Sequence, residues 1–285
     1  MPALYDLAFG YRNYEEEVDF LVEQHQLLHE GQPPRRVLEL AAGPARHCLE
    51  ALQQSYIQTA TALDVSTEMI EYAKELASEE LDNTYSFEYI QGDMTNFDAN
   101  TVHATNSEDA FDSAWILLGS LQHLTTNEEV ISCFECIHRV LRPGGTFIME
   151  LPHPREIFSL VECTRNGWEI PLEDGDGETS GELKIVWGDD NDDFDPIKQV
   201  RQFTVSMELT DDSESGSKTE KKDSTKVLQS VKEVVPMRHF TAQEIDVFAR
   251  ISGFEVTSMH GALAHGVKVH DDDEAFRLVC VLQKK

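Results

Sequence analysis

The sequence has little positive charge. Lys and Arg number 23 against 53 Asp and Glu, a formal net charge of −30 at pH 7. Binding to nucleic acid or to an anionic membrane surface needs positive surface, so neither partner is expected. No apolar run approaches the roughly 20 residues of a membrane span. The opening MPALYDLAFGYRNYEEE has no basic stretch followed by an apolar one, so no signal peptide is read there. Five cysteines in 285 residues make no disulfide framework. Cys133 and Cys136 form a CxxC inside EEVISCFECIHRVL, a helical pattern, and no second CxxC follows, so no metal site is expected. These absences together read as a cytoplasmic, reduced protein. There is no internal repeat and no GxGxxG.

What is present is alternation. Residues 14–29 place Val18, Leu21, Val22, Leu27 and Leu28 near helical spacing, and Gly31 with Pro33-Pro34 stops that helix. Short apolar strands are predicted over Arg36 to Leu40, Thr59 to Val65, residues 84–90, Phe111 to Leu118 and Thr146 to Leu151. Helices are predicted from Cys48 to Ser55, in STEMIEYAKELASEEL with Ser66 or Thr67 as N-cap, and from Asn127 to Leu141, closed by RPGG. Strand–helix alternation with nearly continuous apolar strands implies a parallel sheet covered on both faces.

The composition changes at 165. An Asp-, Glu- and Gly-rich stretch is followed by LKIVW, QVRQFTVSMEL and KVLQSVKEVV, which alternate apolar and polar residues with period two. That is the pattern of antiparallel strands with one wet face. Residues 165–237 are therefore expected to be an antiparallel β insertion that forms a substrate lid. Residues 1–164 and 238–285 form the core. DDSESGSKTEKKDS reads as a hairpin tip or mobile loop. FTAQEIDVFARISGF reads as a helix capped by Thr241, and FEVTSMH and FRLVCVLQ as closing strands.

In an open α/β sheet, ligands gather at the carboxyl ends of the strands. The first predicted strand is followed by Glu39-Leu40-Ala41-Ala42-Gly43-Pro44-Ala45, whose small residues allow backbone to approach a ligand. Asp64, 21 positions past Gly43, suits ribose hydroxyls, or equally a helix N-cap. Asp93 and Met94 suit a purine amino group and its flat face, or equally a turn and a core position. The fourth strand breaks at Leu117-Leu118-Gly119-Ser120.

With these segments in register, the chain resembles the class I S-adenosylmethionine-dependent methyltransferases, small-molecule type. The matching stretches are VLELAAGPARH, ALDVSTEMIEYA, YIQGDM, FDSAWILLGSLQHL and LRPGGTFIMELPHP. The resemblance implies an α/β, Rossmann-like seven-stranded sheet, order 3-2-1-4-5-7-6 with the last strand antiparallel. It implies S-adenosyl-L-methionine held by Glu39, Ala41 and Gly43 at its methionine end. The ribose would lie on Asp64, with Val65 and Met69 nearby, and the adenine by Asp93 and Met94. The backbone of Leu117 and Leu118 would meet the amino-acid end. Of the family's three loop glycines, the first and third are Ala41 and Ala45 here. The N-terminal segment resembles a lid in which Tyr5, Tyr11, Arg12 or Tyr14 reaches over the cofactor. Tyr11 and Arg12 are the preferred pair, since a guanidinium suits a carboxylate.

The acceptor is expected to be a small molecule, methylated at N, O or S by in-line displacement with release of S-adenosylhomocysteine. His123 and His153 are candidate bases. Arg155, Trp187, Arg201 and Arg238 are candidate acceptor contacts, an arginine suiting a carboxylate-bearing metabolite. Two rival readings are an NAD(P)-dependent oxidoreductase on a similar sheet and a non-catalytic S-adenosylmethionine-binding protein. The oligomeric state is not legible in the sequence.

Overall fold

The computed structural model describes residues 2–82, 84–155, 166–173, 179–211 and 226–285. Their elements run α1 (Pro2–Phe9), α2 (Tyr14–Leu28), β1 (Arg36–Leu40), α3 (Arg46–Gln53), β2 (Thr59–Asp64), α4 (Thr67–Glu80), β3 (Ser86–Gln91) and β4 (Phe111–Ile116). After a 3₁₀ turn at Ser120–His123 come α5 (Asn127–Val140), β5 (Leu141–Pro152), β6 (Asn166–Glu173), β7 (Thr179–Trp187), β8 (Phe194–Asp195), β9 (Val200–Asp211) and β10 (Lys226–Arg238). The chain closes with α6 (Ala242–Ile251), β11 (Phe254–His260) and β12 (Arg277–Lys284).

Seven strands form one sheet in the order β11-β12-β5-β4-β1-β2-β3. Strands β1 to β5 are parallel, and β12 is antiparallel to both β5 and β11. This is the sheet order expected from the sequence. Leu38 and Leu40 point to one core, packed with Phe134, Phe147 and Ile245 beneath α5 and α6. Val37 points to the other, packed with Leu21, Leu52 and Trp115 beneath α2 and α3. Alternate residues of one strand thus fill opposite cores, which is why the strands read as continuously apolar. Each such fully buried Leu stabilises the fold by about 1.5–3 kcal/mol.

The helices start where capping side chains stand. Ser66 caps α4, and Thr126 and Thr241 close capping boxes with Glu129 and Glu244. β5 begins earlier than the sequence suggests, at Leu141, because RPGG enters the sheet with a register shift opposite Phe111 and Ser113. The CxxC pair lies within α5 with both cysteines buried, as the helical pattern indicates.

The antiparallel sheet runs β10-β9-β7-β6, with β8 paired to β9. The Asp-, Glu- and Gly-rich stretch contains β6, paired with β7 from Asn166↔Trp187 to Leu172↔Gly181, where the register shifts. The expected hairpin tip at 211–224 lies outside the described residues except for Asp211. The N-terminal segment holds a helix that the sequence reading does not foresee. Leu4, Ala8 and Phe9 of α1 pack on Leu183, Ile185 and Met207 of the antiparallel sheet. Its opposite side is fixed by Asp6, which accepts hydrogen bonds from Arg46 and from the hydroxyl of Tyr72. Helix α1 therefore joins the antiparallel sheet to helices α3 and α4.

Candidate functional site

The loop after β1 is held in an uncommon shape. Ala41, Gly43 and Ala45 have φ of 51°, 53° and 56°, three left-handed residues at alternate positions. The Asp64 carboxylate fixes the middle of this loop, accepting from Gly43 N at 2.9 Å and from Ser66 N at 2.9 Å. The Tyr89 hydroxyl donates to the Gly43 carbonyl. A side chain built on Gly43 would find only the ring of Tyr5, at 3.9 Å, so open space lies above the loop. Beside it, Val65 is 64% exposed although apolar. Met69 is half-buried, Met94 is buried and Asp93 is exposed at the end of β3.

These residues fit an adenosyl ligand. Each Asp64 oxygen keeps a second lone pair for a ribose hydroxyl. Exposed Val65 and the cradle at Gly43 offer an apolar ledge and a bare backbone. Tyr5, not Tyr11, is the aromatic residue nearest the cradle, and burial together with the fields of Asp64 and Glu150 pushes its phenol pKa upward despite Arg12.

Glu39 is buried under the loop and accepts from Cys48 N at 3.2 Å. His47 stands between it and Glu17, with Nε2 2.8 Å from Glu17 Oε2 and Nδ1 3.6 Å from Glu39 Oε1. Burial opposes a charge on His47, but the two carboxylates outweigh it and raise its pKa to about 9. Glu17 also takes Arg12, whose second partner is Glu150 at 3.1 Å. Glu150, on β5, accepts from Leu118 N at 2.8 Å and faces Arg277 at 3.2 Å. Burial disfavours its ionisation, yet Arg12, Arg277 and the Leu118 amide hold its pKa below the usual carboxylate range. Arg12 is thus tied into the protein rather than free at the cofactor edge. Leu118 N is spent on Glu150, and the Leu117 carbonyl accepts from Ser120. Leu118 and Gly119 both have positive φ, 57° and 75°, and so make the break at the end of β4.

A cavity of about 500 Å³ lies between this strand edge and the antiparallel sheet. Phe9, Tyr11, Trp168 and Trp187 wall it, Leu118 and Pro152 lie on the strand side, and Arg277, Gln122, Asn166 and Glu169, the last paired with Lys184, supply polar groups. The walls meet edge to face: Phe9 lies 6.0 Å from Trp168 and 5.8 Å from Trp187, and Tyr11 lies 6.3 Å from Trp168. The Trp168 indole N–H is satisfied by the Ala8 carbonyl at 3.0 Å.

Of the expected acceptor contacts, Trp187 lines this cavity and the three arginines do not. Arg155 reaches Asp272 and the Ala275 carbonyl in the loop before β12. Arg238 bonds Glu244 and stacks on Phe240 and Phe248. Arg201 is buried against Phe203. His153 Nε2 lies 2.8 Å from the Val269 carbonyl, and its Nδ1 accepts from Arg155 N, so it fixes a loop. His123 forms no hydrogen bond among the described residues; burial lowers its pKa, partly offset by Asp64. The sequence reading misses Arg277, Glu150 and Phe9 as cavity or network residues. The signal for Glu150 was at hand, an acid ending an apolar strand in IMELP.

A family model described as a methyltransferase domain matches residues 37–145. YqeM of Bacillus subtilis (strain 168), assigned by name to the methyltransferases, is 27% identical over 116 residues, 41% of this chain and 42% of that protein. The chain's match thus spans less than half of that relative's length. DesVI of Streptomyces venezuelae superposes with a TM-score of 0.71 at 15% identity, covering 99% of this chain and 98% of DesVI. CalS10 of Micromonospora echinaspora, an amino pentose methyltransferase solved with S-adenosylmethionine bound, gives 0.67 at 14% identity over 99% and 96% of the two chains. At such identities the structural likenesses speak for the fold. Residues 37–145 thus match a methyltransferase domain, and the sheet order and superpositions give the chain the fold of the S-adenosylmethionine-dependent methyltransferases.

Proposed function

We propose that the chain transfers a methyl group from S-adenosylmethionine to a small-molecule acceptor by in-line displacement, releasing S-adenosylhomocysteine. When bound, the cofactor supplies an already activated sulfonium methyl. The protein's own residues then have to bind, align and keep water away. In this reading Asp64 holds the ribose, the Gly43 loop underlies the methionine portion, and Val65, Met94 and Asp93 border the adenine. Tyr5 covers the loop, and α1 with the antiparallel sheet is the lid.

The observation that carries the reading is the cavity. It adjoins the strand edge at Leu118 and is roofed by Trp168 and Trp187 of the antiparallel sheet. Its volume, about 500 Å³, suits a compact acceptor, of the order of the amino pentose named for CalS10, and not a protein or duplex. An oxygen or protonated nitrogen acceptor must also lose a proton. His123, next in sequence to Gln122 of the cavity wall and with its pKa lowered by burial, is the candidate base. A thioether acceptor needs none.

The test is transfer of labelled methyl to a panel of small amines, alcohols, acids and thioethers. Trp187→Ala is expected to lower kcat/KM at least tenfold while leaving S-adenosylhomocysteine affinity unchanged. A wild type that binds S-adenosylhomocysteine but labels no acceptor, or a Trp187→Ala variant with full turnover, contradicts the reading.

A further inference from the structure

We infer that Arg277 selects the acceptor, and that the acceptor it selects carries a carboxylate distinct from the atom that is methylated. The inference rests on the cavity being the acceptor site.

Arg277 opens β12, where the antiparallel register sets it opposite Pro152, two residues from Glu150 on β5. Arg277 lines the 500 Å³ cavity and also a smaller one of about 210 Å³. The side chain is 27% exposed. Among the described residues its one side-chain ion-pair partner is Glu150, and Nε is buried without a hydrogen-bond acceptor. No hydrogen bond from its terminal nitrogens is formed among the described residues. The other arginines near the site are spent, Arg12 on Glu17 and Glu150, Arg155 on Asp272, and Arg238 on Glu244. A guanidinium presents planar, paired donors that match a carboxylate. Arg277 is the one that faces the cavity with donors to give.

Arg12, His47 and Arg277 stand against Glu17, Glu39 and Glu150 in one connected network, which is neutral when His47 is protonated. The four aromatic walls leave apolar faces for the acceptor's body, so a compact aromatic or short aliphatic acid fits.

The test uses the full chain and amino-, hydroxy- and sulfanyl-benzoates with short aliphatic counterparts, each acid against its primary amide. The acids are expected to have at least tenfold higher kcat/KM than their amides. Arg277→Gln is expected to erase that preference while S-adenosylhomocysteine affinity stays within about threefold, and Arg277→Lys to keep part of it. Equal turnover of amides, or a preference that survives Arg277→Gln, overturns the inference. Loss of S-adenosylhomocysteine binding in a folded Arg277→Gln would give Arg277 to the cofactor instead and likewise overturns it. A wild type that binds no S-adenosylhomocysteine removes the methyltransferase reading itself.

Discussion

Single residues decide the shape of the loop after β1. A left-handed conformation costs a non-glycine residue about 1–2 kcal/mol. Ala45 accepts that cost at φ 56° because its methyl is wholly buried, which returns about 0.8 kcal/mol. Ala41, half-buried, packs against the core beneath α5. Gly43 has no such neighbour, and its missing side chain leaves the cradle open. Gly43→Ala is therefore expected to lower stability by about 1 kcal/mol in thermal unfolding. It should also weaken S-adenosylhomocysteine binding at least tenfold in calorimetry; unchanged binding would show that the cradle is not used. Ala45→Gly should leave both near wild type, since strain relieved and methyl lost nearly cancel. The small residues of AAGPA were legible as a place of close approach. Three left-handed positions were not, because alanine gives no sign of that conformation.

At the scale of elements, the buried network ties α2 and the segment before it to β1, β5 and β12. It runs from Glu39 through His47, Glu17, Arg12 and Glu150 to Arg277. His47 has a raised folded pKa of about 9, so its contribution to stability is full below its unfolded pKa of about 6.5 and is lost as pH rises through about 9. His25 has the opposite sense. Burial and the stacked His29 ring lower its pKa to about 3, so its contribution is full above about 6.5 and falls away as pH drops toward 3. Burial and Arg201 lower His239 likewise, to about 4. Thermal unfolding followed from pH 5 to 10 should then give a Tm that declines on both sides of neutrality. His47→Gln should flatten the alkaline limb and spare the acid one; an unchanged alkaline limb would remove His47 from the balance. Glu39 and Arg12 were singled out in the sequence, but their connection was not readable there, since the network's members lie on six parts of the chain: the segment before α2, α2, β1, α3, β5 and β12. Helix α1 escaped for a different reason. Eight residues give barely two turns, and its apolar positions take their meaning from the antiparallel sheet they meet.

In the whole molecule, the strand–helix alternation was legible because buried parallel strands leave continuous apolar runs separated by capped helices, and the order of the seven strands was implied by the family resemblance. The strand-end residues Gly43, Asp64, Asp93 and Leu118 follow directly from that order. The cavity beyond them does not. Arg277 reaches the site only when β12 lies antiparallel beside β5, and Trp168 only when β6 pairs with β7. Such long-range register leaves no local mark, which is why the arginines singled out by proximity in sequence fall elsewhere. The most direct measurement of the central claim is calorimetric titration of S-adenosylhomocysteine into the full chain and into Asp64→Ala, with thermal unfolding confirming that both are folded. One saturable site is expected in the wild type. Binding at least tenfold weaker is expected in the variant, because a charged hydrogen bond worth about 1.5–3 kcal/mol is lost. No binding by the wild type, or equal binding by a folded Asp64→Ala, would contradict it.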